Sequence, residues 1–310
     1  FLETEGPNTS ISGNFLFTTF ILPDNTLLII DGNLRQISRV NVDGKRVQFI
    51  KIPLENDFDY IPQVGDGVDG MLFENKFYFP VYPFGFLAES YKDKRLKNLN
   101  HFAIYEINNN SVKMGVKRDY YYSQDSIFNL YPTCLTNFFA QQYNLALKGD
   151  CYNEVVDIFN LKTGLKESSF DMKSDYFSNV PPYPKHYTET ELRVAPTFEI
   201  KDIVEYGHIK PSYRQIFIDT MHQMVIRQAK FGLSDEEHSE DRTKWAHSYI
   251  LADLHSFEKI GEVIIKRGNN YDINFLKGFM TSEGLYFPFK EIQEFDEDYL
   301  HFVKVNFIEE

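Results

Sequence analysis

The stretch Val64-Gly65-Asp66-Gly67-Val68-Asp69-Gly70 sets two carboxylates among three glycines. A loop of that kind can fold its carbonyls and carboxylates around a Ca²⁺, which takes roughly six to eight oxygen ligands. Asp66 and Asp69 are therefore the candidate metal ligands. The spacing lacks the D-x-[DN]-x-[DN]-G order and closing Glu of an EF-hand, and the commoner use of such a loop is a tight turn between two elements.

A second group is aromatic. Phe77, Tyr78, Phe79, Tyr82, Phe84 and Phe86 are interleaved with Pro80, Pro83 and Gly85. Most of them suit a buried strand, but Tyr82 and Phe84 lie past its end, where exposed rings can stack on a sugar or grip an apolar ligand. A third group is cationic: Tyr183, His186 and Arg193, followed by His208, Lys210, Tyr213 and Arg214. Gathered at a funnel, such residues can hold a carboxylate or an acidic sugar, with Arg supplying a bidentate grip. Glu189, Glu191 and Glu205 can equally pair with them on a solvated surface. Tyr82, Phe84, His186, Tyr213 and Arg214 are the candidate ligand-binding residues. The eight histidines form no H-E-x-x-H, and neither a G-x-S-x-G nor a Walker phosphate loop occurs.

The elements that must position these residues are short strands. From Thr19 to Ile52, apolar runs are separated by Pro23-Asp24-Asn25, Asp31-Gly32-Asn33 and Asp43-Gly44. Asp-Gly between β-rich runs favours a two-residue hairpin, because both turn positions need positive φ. The same grammar returns four more times, with equivalent third-strand positions at Asn41, Glu106, Asn160, Asp253 and Asn306. We therefore expect an all-β protein, a β-propeller with blades of three to four antiparallel strands, as one domain over residues 1–310. Residues 171–212 are either a degenerate blade, with strands over 191–195 and 203–208, or a long Pro-rich excursion; the excursion is preferred. The last copy has no fourth strand, and a bare strand edge invites aggregation. That points to part of an N-terminal blade lying before Phe1, with six blades intact and seven the alternative.

Bulk properties agree. Aromatics make up 16% of the 310 residues, with 29 Phe and 20 Tyr against one Trp, and Phe and Tyr favour half-buried strands. A net charge of −13 argues against nucleic acid and anionic membranes, which require clustered Lys and Arg. No apolar run is long enough to span a bilayer. Cys134 and Cys151 form no metal motif; in an oxidising compartment they can pair, and otherwise each fills core space.

The connector Glu5-Gly6-Pro7-Asn8, the blade grammar and the closing Gly284-Leu285-Tyr286-Phe287-Pro288 together resemble an uncharacterised family of Bacteroidota lipoproteins. Its members carry a domain of unknown function with a TolB-like six-bladed propeller. The resemblance implies export to the periplasm or cell surface and a lipid anchor on a cysteine outside this chain. It assigns no catalytic residues. The expected function is thus a binding module for a glycan, peptide or protein. The alternative is a funnel-site hydrolase, lyase or lactonase, metal-dependent if Asp66 and Asp69 join His186. A third reading is a scaffold that joins subunits.

Overall fold

The structure, a computed structural model, describes residues 17–31, 36–52, 60–62, 70–83, 99–118, 135–140, 145–150, 153–177, 209–233, 246–265, 271–273, 278–291, 301–305 and 307. These residues build an all-β propeller of consecutive antiparallel sheets. Blade 1 is β1 (Phe17–Ile21), β2 (Leu27–Asp31), β3 (Gln36–Val40) and β4 (Arg46–Lys51). Blade 2 has a divided inner strand, β5 (Tyr60–Pro62) and β6 (Met71–Phe73), then β7 (Lys76–Pro83), β8 (Leu99–Glu106) and β9 (Ser111–Arg118). Blade 3 comprises β10 (Leu135–Ala140), β11 (Leu145–Asp150), β12 (Val155–Asn160) and β13 (Leu165–Asp171). Blade 4 comprises β14 (Ser212–Asp219), β15 (Met224–Lys230), β16 (His247–Asp253) and β17 (Lys259–Ile265). Blade 5 again divides its inner strand, β18 (Tyr271–Ile273) and β19 (Phe279–Thr281), before β20 (Gly284–Glu291) and β21 (His301–Val305). The described residues therefore make five sheets where the sequence led us to expect six blades.

Period-two alternation explains how the sheets stack, because neighbouring residues of one strand face opposite neighbours. Phe77 and Phe79 pack with Leu28, Ile30 and Ile37 of blade 1, while Tyr78 between them packs with Ala146, Phe159 and Leu161 of blade 3. In β11, Ala146 faces blade 2 and Leu147 faces blade 4. In β15, Val225 belongs to the seam with blade 3 and Ile226 to the seam with blade 5. Middle strands thus read as continuous apolar runs, such as Leu27-Leu28-Ile29-Ile30, because both faces are covered. Outer strands do not: β4 alternates half-buried and exposed positions and leaves Val47 and Phe49 in solvent.

Polar groups tie the seams at chosen points. The Tyr78 hydroxyl donates to the Leu161 carbonyl at 3.0 Å. Arg227, fully buried, donates to the carbonyls of Glu154 at 2.8 Å and Asn153 at 2.7 Å, and its guanidinium lies 4.0 Å from the Tyr213 ring centre.

The two divided inner strands have one cause. Pro80 in β7 and Pro288 in β20 sit mid-strand without an N–H to pair. The inner strand is broken opposite them: Pro62 meets Val81 and Met71 meets Tyr78, just as Ile273 meets Phe289 and Phe279 meets Tyr286. In both blades a glycine precedes the resumed strand. A Cβ on Gly70 would come within 2.3 Å of the Phe77 ring, and one on Gly278 within 2.3 Å of the Phe287 ring.

Among the described residues, turns between first and second strands, and between third and fourth, are tight and capped. Gly44 takes φ 79° and Gly164 φ 69°, while Asn41, Asn160 and Asp253 accept backbone N–H bonds from their own turns. The Asp43-Gly44 turn is longer than the two-residue hairpin expected, since the Asn41 N–H donates to Lys45 across it. The other connections leave from the opposite end of each sheet, and those over 84–98, 119–134, 172–211 and 231–246 are the long ones. Among the described residues no helix is long and apolar enough to cross a membrane.

Replacing Arg227 by Met removes two charge-assisted bonds from a buried seam, leaving the Glu154 carbonyl with the Met172 N–H alone, which should cost about 3 kcal/mol in urea unfolding. A loss under about 0.5 kcal/mol, the range of ordinary surface changes, would show that this seam does not depend on it.

Candidate functional site

Of the candidate ligand-binding and metal-ligating residues, Tyr213 and Arg214 are the two whose side chains the structure describes. Tyr82 is placed in β7 opposite Ile61. Its side chain, Phe84, His186, Asp66, Asp69, Arg193, His208, Cys134 and Cys151 lie outside the described residues, as do the strands considered over 191–195 and 203–208. Among the described residues, no three His, Cys, Asp or Glu side chains gather as a metal site.

Tyr213 belongs to the seam between blades 3 and 4. It is buried, its hydroxyl accepts the Ser174 N–H at 3.2 Å, Phe177 packs against it in a tilted arrangement with ring centres 5.2 Å apart, and Arg227 covers its face. Burial pushes its phenol up to about 12. It therefore serves packing on the described side, with Arg214 turned to different surroundings. Between the two, the pairing of β14 with β15 shifts register from Tyr213 to Ile216, and a bulge of this kind re-aims side chains.

The irregularity places Arg214 beside a polar row that sequence reasoning did not pick out. Ser212 stands opposite Lys230, and Lys230 opposite His247, across three adjacent strands of blade 4. One step further in, Gln228 stands opposite Tyr249 and donates to its hydroxyl at 3.1 Å. Ser212, Lys230 and His247 are all buried. By alternation they share the face of Ile226 and Tyr249, which looks toward blade 5. They also lie at the end of the sheet from which the long connections leave, as do Arg214 and Tyr82. The row was hidden in the sequence because the segment 231–246 separates Lys230 from His247. The available signal was a lysine and a histidine closing and opening two strands with apolar middles, MVIRQAK and HSYILAD.

Burial holds the His247 imidazole down at about 3, and the positive charges of Arg214 and Lys230 add to the effect. The ring is neutral throughout the physiological range and can donate one N–H or accept one bond. Below about pH 6.5 the unfolded chain takes up a proton that the folded chain refuses until about pH 3. This contribution to stability is complete above pH 6.5 and falls as pH drops through that window, by up to ~1.4 kcal/mol per unit. In His247→Gln that part of the acid dependence should vanish, as read from unfolding at about pH 7 and about pH 4.5. Equal acid losses in both proteins would refute it.

No protein-family model matches the sequence, and no curated protein matches it. The fold is similar to that of solved structures. A crystal structure of a DUF4221 family member from Bacteroides vulgatus aligns with a TM-score of 0.68 at 16% identity, over 98% of this chain and 80% of that one. Hydrazine synthase from Kuenenia stuttgartiensis aligns at 0.46 and 11% identity, over 94% and 58%. BamB from Moraxella catarrhalis aligns at 0.40 and 11%, over 93% and 59%. The likeness to the Bacteroides protein is one of fold: this chain is an all-β propeller similar to a member of a family named for its unknown function.

Proposed function

We propose that this protein is an exported binding propeller that takes a glycan, peptide or protein ligand at the end of its blades where the long connections leave. The observation that carries the reading is the asymmetry of the fold. One end is closed by short capped turns, and the other bears the segments 84–98, 119–134, 172–211 and 231–246 together with Tyr82 and Arg214. Binding residues concentrate on connections held by a rigid scaffold. Export, with a lipid anchor outside this chain, is supported by the resemblance of the sequence to Bacteroidota lipoproteins and by the fold likeness to a Bacteroides protein. Phe84, His186, and Asp66 with Asp69 as a Ca²⁺ pair, remain part of the proposal.

A glycan and peptide screen by thermal shift tests the reading. One class should raise the melting temperature, and Tyr82→Ala should abolish the rise. No stabilisation by either class would count against it.

We also propose a six-bladed ring. In blade 2 the face bearing Met71, Tyr78 and Phe102 is covered by Ala146, Phe159 and Leu161. Blade 5 repeats that face as Phe279, Tyr286 and Phe302, with Phe302 opposite Pro288 as Phe102 is opposite Pro80. Yet Phe279 is 42% and Phe302 41% exposed. A covering blade would make Phe302→Glu cost more than about 2 kcal/mol, whereas a solvated face would limit the change to about 0.5 kcal/mol.

A further inference from the structure

Past β13 the chain alternates inward and outward only as far as Asp175. Met172 and Ser174 are buried and Lys173 and Asp175 exposed, but Tyr176 stays outside as well, 54% exposed, and Phe177 turns inward. A tyrosine left in solvent is ordinary by itself. What sets Tyr176 apart is how firmly its exposed position is held. Its N–H donates to the Ser174 Oγ at 3.1 Å, and that hydroxyl donates to Glu262 at 2.7 Å. The Asp175 N–H donates to the other Glu262 oxygen at 2.6 Å, and the Ser174 N–H to the Tyr213 hydroxyl at 3.2 Å. Lys259 donates to the Lys173 carbonyl at 2.8 Å and pairs with Asp175 at 2.8 Å. The Glu262 side chain is buried, and a buried carboxylate is costly unless several donors satisfy it.

Phe231, the first residue past β15, meets the Tyr176 ring edge-on with ring centres 5.5 Å apart. Its backbone is pinned too: the Phe231 N–H donates to the Ala246 carbonyl at 3.0 Å and the Leu233 N–H to the Ile209 carbonyl at 2.9 Å. Gly232 between them permits this approach, since a Cβ there would come within 2.6 Å of the Ile209 oxygen. Both rings stand where the connections 172–211 and 231–246 leave their blades. An exposed ring held this way has met its ordering cost on folding, which is what a binding platform requires.

We propose that Tyr176, backed by Phe231, is a stacking platform for a neutral sugar ring of a glycan. A pyranose presents a flat C–H face and a rim of hydroxyls. The exposed aromatic face of Tyr176 matches the first. For the second, Asp175 is 67% exposed; Lys259 takes its Oδ1, leaving Oδ2 to accept from a sugar hydroxyl. The same pairing offsets the carboxylate charge, which suits a neutral sugar. An apolar peptide side chain would call for a concave pocket, whereas the neighbour of Tyr176 in the chain is an exposed carboxylate. The platform rests on the reading that the ligand binds at this end of the blades, and it deepens that reading by choosing the glycan among its ligand classes.

The test is titration calorimetry on the full chain with cellohexaose, maltohexaose, laminarihexaose and mannohexaose, and with a set of N-acetyl hexapeptide amides for contrast. At least one hexasaccharide should bind. Tyr176→Ala should weaken it at least about tenfold, while Tyr176→Phe, which keeps the ring face, should stay within about threefold. Neither substitution should move the ligand-free melting temperature by more than about 2 °C, because the ring lies largely outside the seams. Hexasaccharide binding that Tyr176→Ala leaves unchanged, or equal losses in the Ala and Phe variants, would overturn the platform and leave the binding propeller standing. Binding of peptides alone would do the same. Binding of neither class sinks both.

Discussion

The constraint on which everything else depends is that the sheets of blades 2, 3 and 4 are buried on both faces. A blade is too thin to hold a core of its own, so its stability is that of its two seams. The alternation in β11, β14, β15 and β16 sends one residue to the preceding seam and the next to the following one. A one-residue slip in any of these strands would exchange the two sets. In β11, Ala146 would then be offered to blade 4 and Leu147 to blade 2, with volumes that fit neither. Register is therefore fixed from both sides at once, which is why the apolar middle strands are so regular and the outer strands so permissive.

Polar groups enter the seams where the chain needs a fixed point. Arg227 ties blade 4 to the turn before β12. The buried carboxylate of Glu262 accepts from Ser174 Oγ at 2.7 Å, from the Asp175 N–H at 2.6 Å and from Ser248, anchoring the segment after β13 onto blade 4. Arg227 thus holds a connection within blade 3, and Glu262 holds chain that has just left it. Where the connection to the next blade is longest, the protein secures its first residues before releasing the rest.

How much of this was legible beforehand depended on range. Turn chemistry is local, and Asn41, Asn160 and Asp253 marked the ends of third strands correctly, since the side chain that ends the strand also caps the turn. His222 belongs to a turn, because its N–H and that of Met221 are held by Asp219, and the strand begins only at Met224. The short pieces β5 and β18 were missed, because three residues give no period to read. Their cause, a proline in the adjacent strand, was visible but was taken only as part of an aromatic cluster. Tyr213 was read as a binding residue from its neighbours in sequence; its place under Arg227 depends on a strand crossing that sequence spacing does not reveal. The Ser212 row was illegible for the same reason, since register across 231–246 is a tertiary fact.

The unequal ends of the blades also bear on how such a chain can change over time. Lengthening a connection costs little more than the entropy of closing a larger loop, which grows only slowly with length. At the capped end an added residue would displace an Asn or Asp from the N–H it holds and disturb the register of two strands. Insertions and deletions should therefore be confined to one rim, leaving the seams untouched. In a lineage built on this plan, variation in chain length would record shifts in what the rim meets, and would say almost nothing about how stable the molecule is.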